Sequence, residues 1–311
     1  MKKSNGNKAG ASVYDRRTDG VGVVSCTNGN LQLNPDGNLR RIDPYTGRGI
    51  MTPQGPKYKI RYGASLRGHE LYIRPNGQPL EQIFREALAT AGVKLDKVKI
   101  ENIEVDEEEP KKGKKAKGNP LTPEQIEQTV QVLCKKYLDM RFFGGVLTSP
   151  INDHLTGPIQ MGFSLSVDII NPEEASITRP VVTSIADAKT KSREMGKMSY
   201  IPFEVSVTQF SIDPFRAKRT GFSYDDYELF IELFRHMYDQ TKSTTRFGAC
   251  VEKIILFHHE SPYGNAQAMK LYRRINIHTD VPKPSAFSDY TVEVDKTGLD
   301  KLGITVEEID P

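Results

Sequence analysis

Arg40, Arg41, Lys57, Lys59 and Arg61 crowd into one short stretch of a 311-residue chain. With Arg48 and Arg67 they set seven cations against one acid, Asp43, between Asn38 and Gly68, a local charge of +6 in a chain whose net charge is +3. Such a concentration attracts polyanions, because each phosphate that a cation neutralises releases condensed counterions. A solvated helix face carries the same composition, and charge alone leaves both readings open. The cations follow and overlap a turn-rich stretch, Thr27–Gly49, with NGN, NPDGN, DP and TG in succession. These residues accept φ > 0 or hydrogen-bond their own backbone. A segment of that length without regular structure, inside a compact domain, usually binds something.

The other reactive residues offer less. His258-His259-Glu260 is the nearest approach to a metal or acid–base cluster. Neighbours on a strand point to opposite faces, so the two imidazoles would not chelate one ion; one is expected buried and hydrogen-bonded, the other exposed. The chain contains no Walker A loop, no G-x-G-x-x-G after a strand, no H-E-x-x-H and no C-x-x-C. Cys26 and Cys250 read as buried apolar thiols. Three widely spaced cysteines suit a reducing cytosol better than a disulfide framework or zinc module. No catalytic residue, metal or cofactor is expected.

These groups need elements to hold them. Val21–Cys26 reads as a short buried strand. Thr52 is expected to cap a helix with Pro53 at its first position, carrying Lys57, Lys59 and Arg61. Glu70–Arg74 reads as a strand and Pro79–Ala91 as a helix, with Leu80, Phe84, Ala87, Leu88 and Ala91 on one stripe. Asp106–Asn119 (DEEEPKKGKKAKGN) reads as a flexible exposed loop, 106–119. Thr122 would cap a helix over Pro123–Asp139, lined by Ile126, Val130, Leu133 and Tyr137. Ile159–Ile170 alternates, which turns Phe163, Leu165, Val167 and Ile169 to a core and Ser164, Ser166 and Asp168 away from it. Phe203–Ile212 alternates through Phe203, Val205 and Val207. The polar excursion between them, Asn171–Pro202, suggests a protruding hairpin. Ser223–Gln240 is the clearest helix, with Ser223 as its cap and Asp226 reaching back. Lys253–His258 reads as a strand, Asn265–Arg274 as a short helix, and Ile275–His278 and Tyr290–Asp295 as late strands. Asp289–Pro311 holds seven acids and two lysines. Its end, 297–311, reads as an acidic tail that aids solubility or meets a basic surface.

That order is compatible with one α+β domain over 1–311, a ferredoxin-like (RRM-type) core with large insertions. A mean hydropathy of −0.51 and the lack of any long apolar run exclude a membrane-spanning class. Met1–Ala11 has no apolar core of a secretory signal, so a cytoplasmic location is expected.

Several segments then fall into a recognisable order. NGN at 28–30 leads to DGN-x-R-R-I-D-P-x-T-G-x-G over Asp36–Gly49 and K-I-R at Lys59–Arg61. F-F-G-G (Phe142–Gly145), G-P-I-Q (Gly157–Gln160), I-T-R (Ile177–Arg179) and M-G-K (Met195–Lys197) follow. T-G-F-S (Thr220–Ser223), S-T-T-R-F-G (Ser243–Gly248) and L-F-H-H-E-S-P-Y-G-N-A (Leu256–Ala266) complete the set. Together, from about Val21 to Ile277, they resemble the backbone subunit of type I CRISPR surveillance complexes (Cascade), closest to the type I-C, Csd/Csh branch of the Cas-seven family. Leu31–Leu33, Gly55-Pro56, Gln267 and Met269 depart from the family pattern.

The resemblance implies an RRM-type palm, a helical fingers region over 53–150 and a protruding β-hairpin thumb over 171–202. It implies copies polymerised head-to-tail along crRNA, without catalysis, presenting guide bases for pairing with target DNA. The implied partners are the processing and large subunits and a recruited helicase-nuclease, with no membrane. Backbone N–H groups of the turn-rich loop suit phosphates, and asparagine side chains suit sugars. The RNA-contact candidates are therefore Asn28, Asn30, Asn38, Arg40, Arg41, Lys57, Lys59, Arg61, Gln160, Arg179 and Arg246. The structural reading of Arg246, a salt bridge after a helix end, is weighed below the RNA contact. At the thumb, Met195, Lys197, Met198 and Tyr200 are candidates to wedge the RNA apart or to anchor the hairpin. Two alternatives stand beside this. Related type III backbone subunits cleave target RNA with a thumb aspartate and a divalent metal, and Asp187 lies in the matching excursion. A stand-alone RRM-like RNA-binding protein is the other.

Overall fold

The computed structural model describes residues 12–34, 39–74, 77–93, 121–149, 151–179 and 194–311. In chain order its elements are β1 (Thr18–Gly29), β2 (Arg48–Met51), α1 (Gln54–Leu66), α2 (Leu80–Thr90), α3 (Pro123–Lys136), α4 (Leu138–Phe142), β3 (Gly144–Leu147) and β4 (Asp153–Thr156). There follow β5 (Ile159–Met161), β6 (Ser164–Ile169), β7 (Glu173–Arg179), β8 (Glu194–Ile212), α5 (Pro214–Thr220), α6 (Tyr224–Arg235), β9 (Gly248–His259), α7 (Ala268–Tyr272), β10 (Ile275–His278), β11 (Thr291–Val294) and β12 (Ile304–Ile309).

β1 is buried on both faces from Thr18 to Cys26, as the interior of a sheet requires. It lies between β8 and β9 in an antiparallel sheet ordered β12-β9-β1-β8-β6-β2, with β5 and β7 also paired to β8. On one face α1, α5 and α6 bury Ile60, Ala64, Ala217, Phe230, Leu233 and Phe234 against Val24, Cys26, Phe210, Ile212 and Leu256. On the other face Ile255 and Phe257 are covered by Leu271, Leu299 and Ile304. A satellite core joins α2, α3 and α4 to the β3–β4 hairpin through Phe84, Leu88, Val130, Leu133, Met140 and Leu155. Among the described residues no helix is long and apolar enough to cross a membrane.

Two of the three helix caps expected from the sequence are present. Thr122 with Gln125, and Ser223 with Asp226, form reciprocal capping boxes at α3 and α6. Thr52 behaves differently. Its amide and hydroxyl bond to the Gln32 side chain at 2.6 and 2.8 Å, and α1 starts without a side-chain cap. The expected helix over Pro123–Asp139 breaks at Tyr137, which is extended. The expected strand over Glu70–Arg74 does not form. The amides of Tyr72 and Ile73 donate instead to the Asp139 carboxylate at 2.7 and 3.0 Å.

The largest correction concerns the alternating strand. Ser164 and Ser166 are each 1% exposed, whereas Phe163, Leu165 and Ile169 are exposed at 61, 42 and 66%. Alternation specifies two faces without saying which is covered. Here the turn-rich loop closes over the polar face. It inserts Arg40 against Glu204 of β8, and Ser166 Oγ accepts the Gly49 N–H at 2.8 Å. Gly49 has no choice of side chain, because a Cβ there would lie 2.8 Å from the Arg40 guanidinium and 3.1 Å from the Glu204 carboxylate.

The excursion after β6 folds back on itself. β7 and the first part of β8 pair in register from Glu173↔Tyr200 to Arg179↔Glu194. Residues 180–193, Asp187 among them, and the loop 106–119 lie outside the described residues. The acidic end is no free tail. As β12 it closes the sheet edge from Ile304↔His259 to Ile309↔Ile254. Lys253 holds Glu308 at 3.0 Å and Asp310 at 3.1 Å, and Lys296 holds Glu308 at 2.7 Å. F-F-G-G and G-P-I-Q also meet, with the Gly157 amide donating to the Phe143 carbonyl at 3.2 Å. Gly144 turns there at φ +72°, and any Cβ would run into the Leu155 carbonyl.

Candidate nucleic-acid interface

Charge alone grouped the early cations; the fold separates them. Arg40 forks onto Glu204 at 3.0 and 3.2 Å and also donates to the Ile50 carbonyl. Both side chains of this ion pair are fully buried, so Arg40 is a structural cation and offers no surface charge. Arg61 is likewise committed, with Nε donating to Asp139 at 2.8 Å and the guanidinium over the Phe143 ring. Lys57 is half-buried above the same ring at 5.2 Å. Burial, with the Arg61 charge adding, holds its ammonium below the usual lysine range. Arg41 is half-buried and donates to the Asn34 side chain at 3.2 Å.

Lys59 is the exception. It is buried in the second turn of α1, with Nζ 5.0 Å from the Tyr238 ring centre and only a long 3.5 Å contact to the Gly55 carbonyl. No carboxylate among the described residues lies within ion-pair distance of it. Its pKa is pushed down to about 7 by burial first, then by the charges of Arg246 and Arg40. Arg246 ends a single 3-10 turn, Thr244–Arg246, that precedes β9. The salt bridge that sequence allowed for it is not present among the described residues, and its buried Nε has no partner. Two cations thus converge with no acid among the described residues to neutralise them. Together with Leu31, Gln32, Gln54, Gly55 and Tyr58 they line a cleft of about 250 Å³ at the start of α1.

Asn30 adjoins this cleft through the chain. It is buried, its amide bonds to the Thr245 carbonyl at 2.6 Å, and neither side-chain polar atom has a partner. Buried amides are normally satisfied, so one without a partner among the described residues, next in the chain to a residue that lines the cleft, is a group that a ligand can bond. Such a cleft attracts a compact anion, and a phosphodiester fits it chemically.

The remaining candidates lie elsewhere. Asn28 is exposed at the end of β1 with φ +47°. Gln160 donates its side-chain amide to the Gly157 carbonyl at 2.9 Å and does not line the cleft. Asn38 falls outside the described residues, and Arg179 and Met195 are placed only as backbone in the β7–β8 ladder. Lys197 is exposed and pairs with Glu174 at 2.9 Å across that ladder. Met198 and Tyr200 are half-buried on it. Gln32, Gln54 and Tyr58 were not among the sequence candidates. Tyr58 had a signal: with Tyr62 and Leu66 it forms a stripe that recurs every four residues, out of phase with Ile60 and Ala64.

The histidine pair needs correction, since both rings are buried. His259 accepts the Asn265 N–H at Nδ1 (2.8 Å), which leaves Nε2 to donate to Asp19 at 3.0 Å. His258 bonds Thr18 at 3.0 Å and Glu307 at 2.9 Å. Cys26 is buried, which pushes its thiol up to about 12, but Cys250 is exposed rather than buried.

A family model described as CRISPR-associated protein Cas7 matches residues 16–295. No curated protein matches the sequence. Two similar solved structures bear the titles "CRISPR RNA-guided surveillance complex, pre-nicking" and "CRISPR RNA-guided surveillance complex". The first is 14% identical over 78% of each chain, with a TM-score of 0.45. The second is 10% identical over 78% of this chain and 68% of the other, with a TM-score of 0.39.

Proposed function

The chain belongs to the CRISPR-associated Cas7 family, and from that membership we propose that it is a non-catalytic backbone subunit of a type I surveillance complex, in the type I-C branch. Copies polymerise head-to-tail along crRNA and leave guide bases free to pair with target DNA. The processing and large subunits flank the filament, and a helicase-nuclease is recruited to it. The main sheet serves as a ferredoxin-like palm, the α1–α4 region as fingers, and the β7–β8 hairpin as the thumb that crosses the RNA.

The observation that carries this reading is the cleft at the start of α1. Among the described residues Lys59 and Arg246 face it without an acid, and Asn30, next in the chain to the lining Leu31, has an unpartnered side-chain amide. A phosphate there would set one negative charge against the two cations and offset the penalty of burying Lys59. Contacts of this kind fix the backbone and ignore sequence. Base pairing then does the reading, as in other RNA-guided systems.

Light scattering of the protein on a long RNA tests the assembly, with many copies per strand expected and one copy contradicting it. Incubation with complementary RNA and Mg²⁺ tests the absence of catalysis. Periodic cuts lost in Asp187→Ala would replace this proposal with the type III reading.

A further inference from the structure

α1 has two faces. Ile60, Gly63 and Ala64 are buried against the core. Tyr58, Tyr62 and Leu66, four residues apart, are all exposed. A single exposed apolar residue needs no explanation, but an ordered stripe does. The two tyrosine rings lie within 26° of parallel, with centroids 6.5 Å apart. Among the described residues, no other aromatic ring or cation stacks on either one. Tyr58 also forms part of the wall of the cleft that contains Lys59 and Arg246. A flat, open ring therefore stands beside a site for a backbone anion.

Resting on the reading of that cleft, we propose that the Tyr58 ring is a stacking platform for one nucleobase of a single-stranded RNA, with Tyr62 backing it. The ligand class is a nucleotide within a chain: phosphate toward Lys59 and Arg246, base on the phenol. Stacking of this kind tolerates any base, since every base has a π-face, and it favours the larger purines. Charge complementarity selects RNA over protein as the occupant, because the anion site and the ring share one wall. A second copy of the chain docking on the Tyr58–Tyr62–Leu66 stripe is the competing outcome.

The chain contains no tryptophan, so Tyr58→Trp supplies a single fluorophore at the platform. It is titrated with oligoadenylate and with an abasic ribose–phosphate oligomer of equal length. Quenching by oligoadenylate alone, at concentrations where both oligomers bind, is expected. Tyr58→Ala should weaken oligoadenylate binding about ten- to hundredfold without changing the salt slope, and Tyr58→Phe should restore it. Wild-type affinity in Tyr58→Ala, or equal quenching by both oligomers, overturns the platform and leaves the cleft standing. Failure of the wild-type protein to bind either oligomer overturns both. A change in oligomeric state of Tyr58→Ala without RNA assigns the stripe to a second copy and also overturns the proposal.

Discussion

Arg40 and Glu204, 164 residues apart, meet as a two-pronged ion pair with both side chains wholly withdrawn from solvent. The pair pins the turn-rich loop onto the polar face of β8 and β6. It also withdraws a cation from the segment whose charge first drew notice.

Breaking one side of that pair leaves a buried, uncompensated charge. Glu204→Ala is expected to cost about 3–5 kcal/mol. Replacing both partners, Arg40→Met with Glu204→Leu, should recover most of that loss. Urea unfolding of the two variants checks this. A double variant as unstable as the single one would show that the loop is held by something other than this pair.

The inverted strand makes an unusual contrast. Ser166→Ala should cost about 1–3 kcal/mol, because the buried Gly49 amide loses its acceptor. Leu165→Ser, on the open face, should stay within about 0.5 kcal/mol of the parent. Thermal unfolding of the isolated subunit reads both, and the reverse ranking would restore the orientation that alternation suggested.

Lys59 carries a pH signature. Its folded pKa of about 7 lies below the unfolded 10.5. As pH falls from 10.5 toward 7 the unfolded chain takes up a proton that the folded chain does not, so stability falls across that window. Below 7 the loss is complete. Lys59→Met should therefore raise the urea midpoint at pH 7, with the gain shrinking as pH rises toward 10.5. A lowered midpoint at pH 7 would mean that the ammonium has an anionic partner in the free protein.

The acidic end belongs to the sheet. Truncation after Thr297 removes β12, uncovers part of Phe257 and His258, and strips Lys253 of both carboxylates. A lower melting temperature and a loss of soluble protein are expected. A truncated chain as stable as the whole would make the segment dispensable.

The sequence disclosed the elements whose signals are local. Thr122 announced its helix as a cap and Ser223 did so with Asp226 reaching back, and the apolar run at Val21–Cys26 announced a buried strand. It also held the order of the hairpin excursion. What it concealed was long-range. Nothing near Arg40 or Arg61 in the chain says that Glu204 and Asp139 will claim them. Nothing near Lys59 says that Arg246 will come to it unpaired. The faces of β6 were legible as two sets, but which set was buried depended on a loop reaching across from Arg40. β12 hid behind its charges, because Glu307 and Glu308 mask a strand whose Ile304 is buried at the sheet edge.

RNA affinity as a function of salt tests the cleft most directly. The protein carrying Lys59→Gln with Arg246→Gln is compared with wild type on several unrelated single-stranded RNAs. The account predicts a loss that is equal for every sequence, with a log–log salt slope shallower by roughly 0.7, as one phosphate contact on a single strand requires. An unchanged slope, or a loss confined to particular sequences, would contradict it.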